Sequence, residues 1–404
     1  MTRRLVMFTD CYPYSNADEW KRFELEIFAE RFDEIHVASR LALTDMPDPL
    51  VPGKVNILPP VFAKGGQTRA SDLAALALLA RRPGLFDSGL SRGRLGYLRS
   101  SLRDVGAVLA SDTWRRHVAP LLSGSHLYFF WGRGYADILP FLSRDQQLAS
   151  LVRMHRYDLY PETNGGYMPF HASIVRAAGK LAPISEDGVS DLSRRFPDQA
   201  RKIECLRLGT NPATMGPRRK DGVLKLVSCA HAKPVKRLHL IAEALAHATV
   251  PVHWTHIGDG PELARLRNVA KTLPDRVTVD LPGAMLPRDV PARYQTEPYD
   301  LFLNVSESEG VPVSIMEAMA AGIPALATDV GGTRELVARD TGILVAADTS
   351  PTELWQRLAR FAAQDDALTE AMRTASAALV AARYDIRANA RRVADAILQL
   401  PVAA

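Results

Sequence analysis

The chain contains no apolar run long enough to span a membrane, and its first apolar stretch, Leu5 to Phe8, is too short for a secretory signal. These two absences predict a cytoplasmic protein. Cysteine is scarce: Cys11, Cys205 and Cys229 lie far apart, with no metal-binding spacing. A disulfide scaffold and a cysteine zinc site are thereby excluded, and reduced, buried thiols are expected. The first strand-like run is followed by Phe8-Thr9-Asp10-Cys11-Tyr12-Pro13 and not by G-x-G-x-x-G, which argues against a dinucleotide-dependent dehydrogenase or a two-lobed binding protein of that type. No Asp-x-Asp is present to hold a divalent metal on a diphosphate, so no metal is expected. Internal repeats and low-complexity tracts are absent. The net charge of +5 comes without any nucleic-acid recognition motif, so no nucleic-acid partner is expected.

What is present points to a two-domain α/β protein. A length of 404 residues is more than one core usually holds. Strand-like runs at Leu5–Thr9, Ile35–Ala38, His126–Trp131, Leu151–His155, Leu181–Ile184 and Ile203–Leu208 alternate with helical patterns at Trp20–Phe32, Tyr135–Leu142 and Glu186–Phe196. The pattern stops near Gly209-Thr210-Asn211-Pro212 and restarts with strands at Leu224–Cys229, Val252–Ile257, Val277–Leu281, Leu301–Val305 and Ala325–Ala327. Helices are predicted at Leu238–Ala246, Pro261–Thr272, Pro287–Tyr294 and Pro312–Ala321, each proline suiting a first helical turn. This βαβ rhythm predicts doubly wound parallel sheets. The expected domains are 1–210 and 211–385, with helix 386–404 crossing back to the first. Residues 63–122 break the rhythm as a helical insertion. Arg69, Arg81, Arg82, Arg92, Arg94, Arg99, Arg103, Arg115 and Arg116 crowd this insertion. Two readings of them stay open: a solvated helical face, or contact with an anionic membrane or a phosphate-bearing partner.

The most informative stretch is Ser306–Leu336, "SESEGVPVSIMEAMAAGIPALATDVGGTREL". Glu309 lies in the loop leaving the carboxyl end of a predicted strand, where open α/β sheets bind ligands. Gly310 allows close backbone approach, and Pro312 opens a helix whose N–H groups suit a phosphate. Glu317, further into that helix, can accept two hydroxyl hydrogen bonds, as a ribose diol would offer. Taken alone, the pair reads rather as a helix-terminal charge at Glu309 and a surface acid at Glu317 on an amphipathic helix.

The wording around the pair resembles the E-x7-E region of glycosyltransferase family 4, retaining enzymes of GT-B fold. "HIGDGPELARL" (His256–Leu266), "LVSCAHAKPVKRLHLIAEAL" (Leu226–Leu245), "RMHRYDLY" (Arg153–Tyr160) and "PISEDG" (Pro183–Gly188) resemble further segments of that family, the last two in bacterial members that build cell-surface or secondary-metabolite glycans. The resemblance implies an α/β GT-B fold, two Rossmann-like doubly wound domains facing across a cleft. It implies that Glu309 contacts the donor sugar, that Gly310 and Val311 offer N–H groups beside Pro312, and that Glu317 holds the ribose. Lys236 matches the family's diphosphate lysine. His231 stands where an arginine is usual, and a histidine is charged only part of the time near neutral pH. Arg237 is either its substitute or a solvent-facing neighbour. Gly258, in the Gly-Asp-Gly-Pro turn, and Gly283 to Leu286 would lie along the nucleotide. His155 matches a histidine near sugar and diphosphate, against the alternative of a satisfied core histidine. The first loop, with Tyr14, Ser15 and Asn16, lacks the glycines common there and would face acceptor or diphosphate.

The implied activity is transfer of a hexosyl group, with retention and without metal or other cofactor. The donor would be a nucleoside-diphosphate sugar, UDP favoured, and the acceptor a glycan, a lipid-linked molecule or a small molecule. Sugar-nucleotide epimerases share the fold and are the alternative; a product formed without acceptor would mark them.

Overall fold

The computed structural model describes residues 2–15, 21–63, 92–219 and 221–404. Asn16, Trp20, the 64–91 part of the expected insertion with Arg69, Arg81 and Arg82, and Lys220 lie outside the described residues. The chain divides into two compact units, one of residues 1–206 with 387–404 and one of residues 207–386.

The first unit is built on a six-stranded sheet: β1 (Arg4–Thr9), β2 (Glu34–Ser39), β3 (Val55–Ile57), β4 (Ser125–Phe129), β5 (Ser150–Met154) and β6 (Lys180–Pro183), in the order β3-β2-β1-β4-β5-β6. Every pairing is parallel. Such strands are covered on both faces and therefore read as nearly continuous apolar runs. In β1, Leu5 and Met7 enter one buried cluster and Val6 and Phe8 another. Val393, Ala394 and Ile397 of the Ile386–Leu398 helix pack in the cluster that holds Leu5 and Met7. Arg153, on β5 and fully buried, pairs with Glu24 of the Lys21–Arg31 helix and donates to Tyr128 Oη at 3.2 Å.

The second unit carries β7 (Leu224–Cys229), β8 (Val252–Ile257), β9 (Val277–Gly283), β10 (Leu301–Asn304), β11 (Ala325–Thr328) and β12 (Gly342–Val345) in the order β12-β11-β10-β7-β8-β9, again all parallel. Renumbered within its unit, this order is the same as that of the first sheet. In each the strand order reverses once, between β1 and β4 and between β7 and β10, and ligands of doubly wound sheets bind beyond the carboxyl ends of strands at that reversal.

Several expectations are corrected. Ile203–Leu208 is not a strand. It makes one bridge, Ile203 to Leu181, and two N–H bonds to the β6 edge, while the Leu206 carbonyl is taken by Arg153 Nη2 at 3.1 Å. Residues 134–141 form a 3-10 helix with Pro140 inside it; proline has no N–H to give an α-helical ladder. Pro261, Pro287 and Pro312 stand just before the helices Leu263–Ala270, Asp289–Thr296 and Val313–Ala320, outside their first turns. Strands β3 and β12, of three and four residues, are too short for a periodicity to show. Within the expected insertion the described part is helical from Arg92 to Ala110. The three cysteines form no disulfide and are half-buried where burial was expected.

Candidate active site

The reversal between β7 and β10 brings two loops together. The loop after β7 runs from Ala230 through a 3-10 turn, Pro234–Lys236, and the loop after β10 runs from Val305 to Pro312. The Glu307 N–H donates to the Val235 carbonyl at 2.9 Å, joining them. Across this junction Lys236 Nζ donates to Glu309 Oε1 at 2.6 Å. Glu309 is 8% exposed, and a second donor, Asn304 Nδ2, reaches the same oxygen at 3.3 Å.

Pro312 caps the Val313–Ala320 helix without a side-chain hydrogen bond. The N–H groups of Gly310, Val311, Val313 and Ser314 find no acceptor among the described residues. A helix start in this condition favours an anion. The Gly310 carbonyl accepts from Gly332 N–H at 2.8 Å, and Gly331 has φ +51°. A Cβ on Gly331 would stand 2.1 Å from the Glu309 carbonyl oxygen, so only glycine lets this turn support the Glu309 loop.

Glu317 is half-buried in that helix, and its carboxylate makes no hydrogen bond among the described residues. Burial pushes its carboxyl up to about 7. Cys229, at the end of β7, is its neighbour: burial, then the Glu317 charge, push the thiol up to about 12. Half-buried and with no hydrogen bond to its carboxylate among the described residues, Glu317 is set to receive hydroxyl donors.

The other expected donor-side residues are placed as follows. His231 is exposed on the loop after β7. Arg237 adopts φ +48°; its Nε donates to the Val305 carbonyl and its Nη1 to the Ala347 carbonyl, both at 2.7 Å. Its guanidinium thus braces the loops after β10 and β12. Gly258 N–H donates to the Gly283 carbonyl at 2.8 Å, and a Cβ on Gly258 would stand 1.9 Å from the Ala230 carbonyl oxygen. Leu286 is exposed.

In the first unit His155 follows β5 and is 6% exposed. Its ring stacks on Phe130 and lies 4.2 Å from Trp131 by centroids. Its Nδ1 stands 3.6 Å from Asp158 Oδ2. Burial holds the imidazole below its ordinary value, against the pull of Asp158. Burial alone would raise the Asp158 carboxyl, but bonds from His155 and from the Gly132 N–H hold it low. Tyr14 is half-buried and Ser15 buried. Asn304 and Asp158 were not singled out from the sequence. A polar residue closing the apolar run Leu301-Phe302-Leu303 was the available signal for Asn304.

Among the described residues no cluster of three metal-ligating side chains occurs, and no helix is long and apolar enough to cross a membrane.

Comparison with known proteins bears on the family and the fold. Residues 216–378 match the family model of glycosyl transferases group 1. WcaL of Escherichia coli K12, a glycosyltransferase named for colanic acid biosynthesis, is 30% identical over 211 residues, 49% of this chain and 51% of that protein. The O-antigen biosynthesis glycosyltransferase WbnH of Escherichia coli is 36% identical over 110 residues, 27% of this chain and 30% of its own. The chain thus spans about half, or less, of the length of these relatives. Among solved structures, sucrose-phosphate synthase from Thermosynechococcus elongatus superposes with a TM-score of 0.70 at 16% identity, covering 98% of each chain. Anabaena HepE in complex with UDP and glucose gives 0.61 at 15% identity, covering 98% of this chain and 100% of its own. Residues 216–378 thus match the group 1 glycosyl transferases, on a chain whose two parallel six-stranded sheets have the GT-B fold.

Proposed function

We propose that the protein is a retaining glycosyltransferase of bacterial glycan biosynthesis. It moves a sugar from a nucleoside-diphosphate sugar, UDP-sugar favoured, onto a hydroxyl of a glycan, lipid-linked or small-molecule acceptor. The observation that carries this reading is the Lys236–Glu309 pair beside the uncapped start of the Val313–Ala320 helix. A cation and a set of free amides converge there, with one carboxylate at the same point and a second, Glu317, along the helix. The first two suit a diphosphate, and the carboxylates suit sugar and ribose hydroxyls. The favoured nucleotide is supported by the fold likeness to HepE, whose structure holds UDP and glucose.

In this reaction the bond from the sugar C1 to the diphosphate oxygen breaks, and a bond from C1 to the acceptor oxygen forms on the same face. The acceptor's hydroxyl proton passes to the departing phosphate oxygen. Negative charge grows on the diphosphate, and Lys236 with the amides of Gly310, Val311, Val313 and Ser314 is aimed at it; preorganised donors of this kind supply much of the barrier lowering in such sites. Glu309 orients sugar hydroxyls and forms no bond to carbon. No metal takes part in this scheme.

A thermal-shift screen against UDP, GDP, ADP, dTDP and NAD tests the reading, since a ligand bound only by the native state raises the melting temperature. A shift with one nucleoside diphosphate, lost in Glu317→Ala, is expected. A shift with NAD alone would overturn it.

A further inference from the structure

Asn304 closes β10 and is 9% exposed. Its carboxamide has two partners. Oδ1 accepts the Ser306 N–H at 3.2 Å, and Nδ2 donates to Glu309 Oε1 at 3.3 Å. The first contact fixes the second, because only the amide oxygen can accept from an N–H, which leaves the NH2 group facing the carboxylate. Glu309 Oε1 also receives Lys236 Nζ at 2.6 Å. One oxygen of Glu309 therefore takes two donors, from opposite sides of the strand reversal. Oε2 receives none among the described residues.

We propose that Asn304 is a positioning residue that turns Glu309 so that Oε2 faces the hydroxyls of the donor sugar; the inference rests on the transferase reading above. Lys236 cannot perform this alone. Its ammonium sits on a flexible stem and is drawn to a diphosphate once one binds. The Asn304 amide is neutral and held at its other end by Ser306. It keeps its grip on Glu309 after Lys236 has turned to the phosphates, and it adds no charge that would compete with them. The charged groups around this amide are Glu309, Lys236 on the facing loop, and the Arg237 guanidinium on the adjoining Val305 carbonyl.

The discriminating variant is Asn304→Asp. It is isosteric and still accepts from Ser306 N–H, so a residue that merely anchored the loop would tolerate it. The ionised Asp loses the donor to Glu309 and sets carboxylate against carboxylate. Release of UDP from UDP-glucose, with water as acceptor, is expected to fall about tenfold to a hundredfold at neutral pH, the effect of losing a hydrogen bond to a charged group. Turnover relative to wild type should recover as pH falls from about 8 towards 5, because a protonated carboxyl donates again. Asn304→Leu should lose turnover without that recovery. UDP affinity, measured by calorimetry, should stay at the wild-type value in Asn304→Leu, which adds no charge beside Lys236, as UDP lacks the sugar. A pH profile of Asn304→Asp that follows wild type would overturn the proposal. A second arm needs no donor. In protein labelled with 15N-asparagine, the side-chain amide of Asn304, identified by its loss in Asn304→Asp, should shift when Glu309→Gln removes the charged acceptor; an unmoved resonance would equally overturn it. If wild type released no UDP from UDP-glucose, UDP-glucose would be ruled out as the donor, and the amide resonance would still decide the role of Asn304.

Discussion

Lys236 Nζ and Glu309 Oε1 stand 2.6 Å apart, across 73 residues of sequence, so the cation and the acid of the candidate site neutralise each other while no donor is bound. Both are largely buried, with side chains 26% and 10% exposed. In the proposed reaction a diphosphate entering the site would offer Lys236 a stronger partner and release Glu309 to the sugar. Lys236→Ala and Glu309→Gln are each expected to lower turnover by about a hundredfold to a thousandfold, the cost of removing one preorganised charge or donor. The double variant should fall short of the product of the two, because each substitution already disrupts the other's partner. Turnover of the three variants, at matched melting temperature, checks this. Additive losses would show that the pair does not act together.

Glu317 links the site to pH. Its carboxyl is raised from 4.5 to about 7 by burial, so the folded protein holds a proton that the unfolded chain has released. Folding is then favoured most below about pH 4.5, and the contribution is lost as pH rises to about 7, a total of about 3 kcal/mol to order of magnitude. Denaturant titrations across this window should show stability falling in wild type and a flatter profile in Glu317→Gln. A wild-type profile without that excess fall would contradict the burial argument.

The Arg153–Glu24 pair is a structural counterpart within the first unit, both side chains at most 1% exposed. Glu24→Gln leaves a buried guanidinium without its counter-charge and should cost about 3–5 kcal/mol. Removing both charges, in Glu24→Gln with Arg153→Met, should cost less than the single change. Urea denaturation of the two variants decides; a double variant less stable than the single would contradict the account.

Gly331→Ala tests the support of the Glu309 loop. The added Cβ meets the Glu309 carbonyl oxygen at 2.1 Å on a backbone of φ +51°, so the loop must move. The left-handed conformation alone costs about 1–2 kcal/mol with a side chain. Turnover should drop more than this loss of stability explains, because the carboxylate moves with its backbone. Wild-type turnover in the folded variant would show that the Val330–Gly332 turn does not set the position of Glu309.

Much of this was legible along the chain. The apolar runs of β1, β5, β7, β8 and β10 mark strands covered on both faces, and the wording from Ser306 to Leu336 marks a ligand loop with two spaced acids. These signals are local, since strand burial and helix starts are written in a few consecutive residues. Other features were not legible. Strands β3 and β12 are too short to carry a period, and Ile203–Leu208 has the composition of a strand but loses a carbonyl to Arg153. Arg237 reads in sequence as either a substitute for the missing second cation or a solvent-facing neighbour of Lys236, yet two backbone carbonyls hold its guanidinium. Two parallel β-sheets, the residues that cover them, and the acids and lysine of the candidate site can all be read along the chain. The strand order, and with it the reversal that sets the β7 loop against the β10 loop, emerges only from packing in three dimensions. Lys236, Asn304 and Glu309 meet there because parallel strands all end on one side of a sheet, while neighbours in that sheet need not be neighbours in the chain.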